Sequence, residues 1–195
     1  METARYTVAV LLVITLPPAL GWWFVVHPFV DFWRKIGMSI TYVMMTVLYV
    51  AVVVALLQSR DALVLTDLGT NWITVGVGGT FVLPAIWIAV RRAKQLTFAI
   101  LVGVPELEAD GKGGKLLNEG IYSVIRNPRY VEIVIGVWAY ALFANYVGGY
   151  VIALLTVPGV HAIVWFEERE LSRRFGAEYE AYCASVPRYI PMRRT

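Results

Sequence analysis

Residues 38–57 read MSITYVMMTVLYVAVVVALL, twenty positions without a charge. A helix needs about 20 consecutive apolar residues to cross the hydrocarbon of a bilayer, so this stretch predicts a transmembrane span. Working outward, a second candidate runs from Thr7 to Val26 and a third from Asn71 to Val90. The chain is again apolar from Val131 to Phe166, long enough to cross twice, with Asn145, Gly148 and Gly149 supplying a turn near the midpoint. With 58% hydrophobic and 16% charged residues, the composition lies outside the globular balance of roughly half apolar and a quarter charged. A soluble domain is excluded. The expectation is an all-α integral membrane protein of about five transmembrane helices, with a C-terminal helical hairpin and a short amphipathic cytoplasmic tail.

The organisation divides in two. Residues 1–90 hold three N-terminal spans, and residues 91–195 hold a loop, the hairpin and the tail. The first span begins close to Met1 without a basic leader or a small-residue cleavage site, and it reads as a retained span. Pro17 and Pro18 lack amide donors and predict a kink or break within it. Gly76, Gly78 and Gly79 predict close helix packing in the third span. Arg91, Arg92 and Lys94 end that span, and a polar loop with Glu106, Glu108, Asp110 and Gly111 follows. In the tail, Phe175-Gly176 resembles a helix stop, and Pro187 and Pro191 end any later helix.

Of the 17 lysines and arginines, five alternating spans leave only Arg5 and Arg60 on one side. Cytoplasmic flanks retain positive charge, so the N-terminus is expected outside and the C-terminus in the cytoplasm, in a plasma (inner) membrane. The net charge of +3 clusters beside apolar segments, which favours membrane lipids as partners and not nucleic acid.

Two polar constellations stand at span ends, where functional groups of membrane proteins concentrate. The first is Gly120-Ile121-Tyr122-Ser123-Val124-Ile125-Arg126-Asn127-Pro128-Arg129-Tyr130, with Glu132 just inside the fourth span. Arg126 offers a planar fork for a carboxylate or phosphate, Asn127 a donor and an acceptor, and Tyr122 and Tyr130 aromatic faces with hydroxyl tips. The alternative is an arginine and tyrosine belt at the headgroups. The second constellation is Glu167-Glu168, followed by Arg169, Glu170, Arg173 and Arg174. Glu170 and its arginines read as an exposed helix with ordinary i,i+3 and i,i+4 pairs. For Glu167 and Glu168 the choice between structure and site stays open. His27 and His161 have no ligand partners at helical spacing, so no metal is expected. Cys183 reads as an inert thiol, and Gly111 to Gly114 as a hinge lacking phosphate-loop spacing.

The pattern GxYxxxR[HN]PxY, an apolar hairpin, Glu167-Glu168-Arg169-Glu170-Leu171, then Phe175, Gly176, Tyr179, Tyr182 and a final VPRYIP resembles the isoprenylcysteine carboxyl methyltransferases and their phospholipid methyltransferase relatives. The resemblance covers Leu116 to Pro191. It implies a membrane methyltransferase that holds S-adenosylmethionine in a cytoplasm-facing pocket and takes a lipophilic methyl acceptor from the bilayer. The residues it assigns to the cofactor are Gly120, Tyr122, Arg126, Asn127, Pro128, Tyr130, Glu167 and Glu168. Arg126, Tyr130, Glu167 and Glu168 are expected to act in catalysis. The histidine usual in the first motif is here Asn127, and Ile163 stands where the family tends to carry an arginine. That points away from prenylcysteine carboxylates toward a lipid amine, hydroxyl or small hydrophobic carboxylate. Two other readings share the architecture: a membrane scaffold whose site has decayed, and a nicotinamide-dependent reductase of the sterol type.

Overall fold

The computed structural model describes residues 1–95, Leu107 and residues 115–191. The polar loop with Glu106, Glu108, Asp110 and the glycines at 111–114 lies outside the described residues. Helix α1 (Glu2–Val26) leads through a 3₁₀ turn (His27–Phe29) into α2 (Val30–Ile36), and α3 (Met38–Gln58) into the short α4 (Arg60–Val64). Helix α5 (Trp72–Ala93) is followed by a second 3₁₀ turn (Gly120–Ser123), then α6 (Pro128–Ala144), α7 (Val147–Phe175) and α8 (Ala177–Ser185).

Helices α1, α3, α5 and α7 are long and apolar enough to cross a bilayer, at 25, 21, 22 and 29 residues. Helix α6 has 17 residues and lies at the short end of the spanning range. It is the first arm of the expected hairpin. The protein is an all-α integral membrane protein, and lipid is the solvent for much of its surface. Of the most apolar window of α3 and of α5, only 11% is buried inside the protein, against 39% for α7. Val43, Val47, Val50 and Val54 all face outward on α3.

Several local features follow directly from residue type. Helix α1 remains continuous through Pro17 and Pro18, so the expected break does not occur; α3, α6 and α7 all pack against α1, and helical neighbours let a membrane helix absorb the lost amide bonds. Asn145 ends α6 in the left-handed conformation, φ 55°, which asparagine tolerates better than other non-glycine residues. Gly176 stops α7 at φ 52°. The two glycines expected in the hairpin turn instead lie inside α7. A Cβ on Gly148 would sit 2.1 Å from the Leu63 carbonyl oxygen of α4, so its lack of a side chain lets the two backbones touch. Gly78 does the same for α5 against α6, where a Cβ would lie 3.0 Å from the Ala139 carbonyl oxygen. Gly76 and Gly79 face open space.

Alternating helix directions give the molecule two ends. One gathers Arg5, Asp67, Thr70 and the Asn145 turn. The other gathers the end of α1, the end of α5, the start of α6 and the end of α7.

Candidate active-site cleft

The second end is built around the short link into α6. Arg126 and Asn127 donate their backbone amides to the carbonyls of Pro187 (2.9 Å) and Arg188 (3.2 Å), so the tail is laid back over the α6 N-terminus. The Arg126 guanidinium strengthens this clasp. It donates to the carbonyls of Cys183 (2.9 Å) and Val186 (2.7 Å), at the end of α8, and to Glu168 Oε1 at 3.2–3.3 Å. A cation there answers the unpaired carbonyls of a helix C-terminus. Asn127 precedes Pro128 at the α6 N-terminus, yet its side chain is turned away from capping and donates to Glu168 Oε1 at 3.0 Å. Glu168, 8% exposed, also accepts from Arg188.

Glu168 is therefore a buried counter-ion of the clasp. Glu167, about 100° further round the helix, lines an adjacent cleft and accepts a hydrogen bond from the Tyr130 hydroxyl. Tyr122, Arg126, Asn127, Pro128 and Tyr130 line the same cleft. Gly120 and Glu168 do not. Gly120 instead adopts φ 57° with the Gln95 side chain against it, which shapes the 3₁₀ turn that presents Tyr122. The cleft has a volume of about 100 Å³.

Other lining residues carry no motif. Trp23 and His27 come from the end of α1 and the turn beyond it, and Leu171, Arg174 and Phe175 from the last turns of α7. Arg129 stacks over Trp23, 4.9 Å from its ring centroid, and lies 5.7 Å from the Tyr130 ring. It has no carboxylate partner among the described residues, unlike Arg126. Burial pushes the Tyr122 hydroxyl up to about 12 and raises Tyr179 and Tyr182 as well. These phenols stay protonated and can donate but not serve as bases.

The expectation of an exposed helix around Glu170 is overturned. Glu170 is 5% exposed and accepts from Arg34 of α2 at 2.8 Å as well as from Arg174 at 3.4 Å. The long-range partner draws it inward, which i,i+4 spacing cannot reveal. Glu132 is paired with Arg92 of α5 at 2.8 Å, and the His161 Nδ1 lies 3.1 Å from the Tyr189 hydroxyl. Among the described residues no cluster suited to a metal ion occurs.

A second cavity of about 860 Å³ adjoins the first. It lies among α1, α3, α5 and α6, is mostly apolar, and carries the Arg92–Glu132 pair in its wall. Trp23 and Arg129 line both cavities.

Fold and cleft together define a helical membrane protein with a cleft lined by charged and aromatic residues at one end of the bundle, beside a more apolar cavity. Residues 73–178 match the phospholipid methyltransferase family model, and the chain belongs to that family. The match begins in α5, ahead of the Leu116 boundary expected from motifs, so the third span is part of the family unit; its packing on α6 gives the structural reason. Membership makes the protein a membrane methyltransferase of the class that acts on lipid-type substrates. Neither a curated protein nor a solved structure matches the chain.

Proposed function

We propose that the protein transfers a methyl group from S-adenosylmethionine to a lipophilic acceptor, with the cleft facing the cytoplasm. The observation that carries this reading is the pairing of two cavities across one wall: a polar cleft with Glu167 and Arg129, and a larger apolar cavity on the other side of Trp23 and Arg129. The donor set fits the cofactor chemically. Arg129 would hold its carboxylate, Glu167 its ammonium or ribose hydroxyls, and the faces of Trp23, Tyr122 and Tyr130 its cationic end. When bound, the cofactor supplies an electrophilic methyl on a sulfonium.

The chain's contribution is alignment. Tyr130 holds the Glu167 carboxylate by a hydrogen bond, and the Arg126–Glu168–Asn127 clasp fixes the α6 N-terminus from which Tyr130 projects. We thus assign Arg126, Glu168, Asn127 and Pro128 to positioning, Gly120 to shaping the turn that presents Tyr122, and Tyr122, Tyr130, Glu167 and Arg129 to contact with the cofactor. Holding two reactants in line lowers the barrier by making their encounter unimolecular. The acceptor would lie in the apolar cavity and present its polar head past Arg129. The distribution of basic residues supports a cytoplasmic cleft and an external N-terminus.

Calorimetry with S-adenosylmethionine on detergent-purified protein tests the reading. Binding in the micromolar range that weakens at least tenfold in Arg129→Ala and Glu167→Ala, with both variants folded, is the expected result. A folded wild-type protein that does not bind would end it.

A further inference from the structure

His27 is 6% exposed and lines the cleft, yet neither ring nitrogen has a hydrogen-bond partner among the described residues. Buried polar side chains are almost always paired, so an imidazole in a cavity wall with neither nitrogen paired wants an explanation. Its ring is held by packing: it stacks on Trp23 with centroids 5.0 Å apart and planes 22° apart. The 3₁₀ turn that carries it packs against α7. The charged groups that act on it are Glu167 and Glu170 from α7 and Arg129 from α6. Arg174 of α7 and Arg126, Tyr122 and Tyr130 line the same cleft, and Arg34 of α2 is engaged with Glu170. Burial outweighs the two carboxylates and holds the imidazole below its ordinary 6.5. The ring is therefore neutral near pH 7, with a lone pair available. Asn127, beside the same cleft, carries an amide and cannot take up a proton.

We propose that His27 is the general base for methyl transfer, and that the acceptor is accordingly a lipid carrying an N–H or O–H nucleophile and not a carboxylate. The inference rests on the methyl-transfer reading of the cleft. As the acceptor's nitrogen or oxygen forms its bond to the methyl carbon, the carbon–sulfur bond breaks with its electron pair passing to sulfur. The N–H or O–H proton moves to an imidazole nitrogen of His27. A cationic donor, a neutral acceptor and a neutral imidazole thereby become a neutral thioether, a neutral methylated product and an imidazolium. A carboxylate acceptor would have no proton to give and no use for the base. Trp23, in stacking contact with His27, forms part of the wall between the two cavities, which puts the imidazole beside the place where an acceptor head would meet the methyl.

The chain has two histidines, so ¹⁵N-histidine labelling of the whole protein gives two pairs of ring-nitrogen signals, and His161→Gln assigns them. The expected result is a neutral His27 at pH 7 whose signals move when S-adenosylhomocysteine is added, with calorimetry on the same sample reporting binding. Binding without movement of the His27 signals, or a protonated His27 at pH 7, overturns the inference and leaves the cofactor reading standing. Failure to bind S-adenosylmethionine or S-adenosylhomocysteine overturns both. Where the wild type transfers tritiated methyl to phosphatidylethanolamine vesicles, His27→Gln is expected to lower the rate about 100-fold, to keep cofactor affinity within about threefold, roughly 0.6 kcal/mol, and to lose the acidic fall-off of the pH profile. An unchanged rate or profile would overturn the assignment.

Discussion

The two ends of the bundle use the same residue types and treat them in opposite ways. At one end Arg5, 2% exposed, donates to the Ala144 carbonyl (3.0 Å), to Thr70 (3.1 Å) and to Asp67, with the Tyr146 ring 5.4 Å away. Asn145 closes that end by donating to the Gly69 carbonyl at 2.9 Å and accepting from Tyr150 at 2.8 Å. At the other end Arg129 is stacked between Trp23 and Tyr130 without a carboxylate among the described residues, and His27 is buried with both nitrogens open. On the proposed reading, the contrast separates polar groups that hold the bundle from polar groups kept for a ligand. The Arg5 end shows that this chain can give every nitrogen of a buried arginine a partner, so the unpaired nitrogens at the His27 end are not a general looseness of its packing.

That comparison breaks if substitutions at the closed end disturb binding, or if those at the open end mainly unfold the protein. The largest effect is expected from Arg5→Ala. It strands the Ala144 carbonyl and removes the counter-ion of Asp67, which is partly open to solvent. A loss of about 3 kcal/mol, the low end for a broken buried pair, should appear as a lower denaturation midpoint in detergent with cofactor affinity unchanged. Gly148→Ala comes next. Its Cβ would collide with the Leu63 and Val64 carbonyl oxygens of α4 at 2.1 and 2.8 Å, and overpacking of that kind costs about 1–3 kcal/mol. Again stability should fall and affinity should not. Arg129→Ala should do the reverse: affinity for S-adenosylmethionine falls at least tenfold, roughly 1.4 kcal/mol, while the midpoint moves little.

Much of the fold was legible because lipid imposes simple rules. Uninterrupted apolar stretches marked the spans, Asn145 the hairpin turn and Gly176 the stop of α7. The motif residues also marked the end of the bundle where the cleft lies, as Tyr122, Asn127, Tyr130 and Glu167 all reach it. What sequence could not show is which partner each charge finds. Arg5 read, with Arg60, only as a charge on the outer side because its partners, Asp67 and the Ala144 carbonyl, are far along the chain. Glu170 read as exposed because Arg34 is 136 residues away. Arg126 read as a ligand-binding fork, although its guanidinium is occupied by Glu168 and two carbonyls, and Arg129 beside it has the open role. Trp23 and His27 belong to no motif. Only the packing of the α1 end against α7 carries them into the cleft, and the one available signal was a histidine and a tryptophan at the end of an otherwise apolar span.

The smallest expected effect sharpens the comparison most, because its sign is opposite to that of ordinary core substitutions. Burying an imidazole without partners costs the folded state about 1–3 kcal/mol, so His27→Leu should raise the denaturation midpoint by an amount near the lower end of that range. The gain should depend on pH. Burial holds the folded-state pKa of His27 below 6.5, so as pH falls through 6.5 the unfolded chain takes up the proton before the folded one does, and wild-type stability declines. Above that window the contribution is flat. The stabilisation by His27→Leu should therefore be larger at pH 5.5 than at pH 8, measured as the difference in midpoint between variant and wild type. A variant less stable than wild type at both pH values would mean that His27 holds the bundle together as Arg5 does, and the distinction between the two ends would fall.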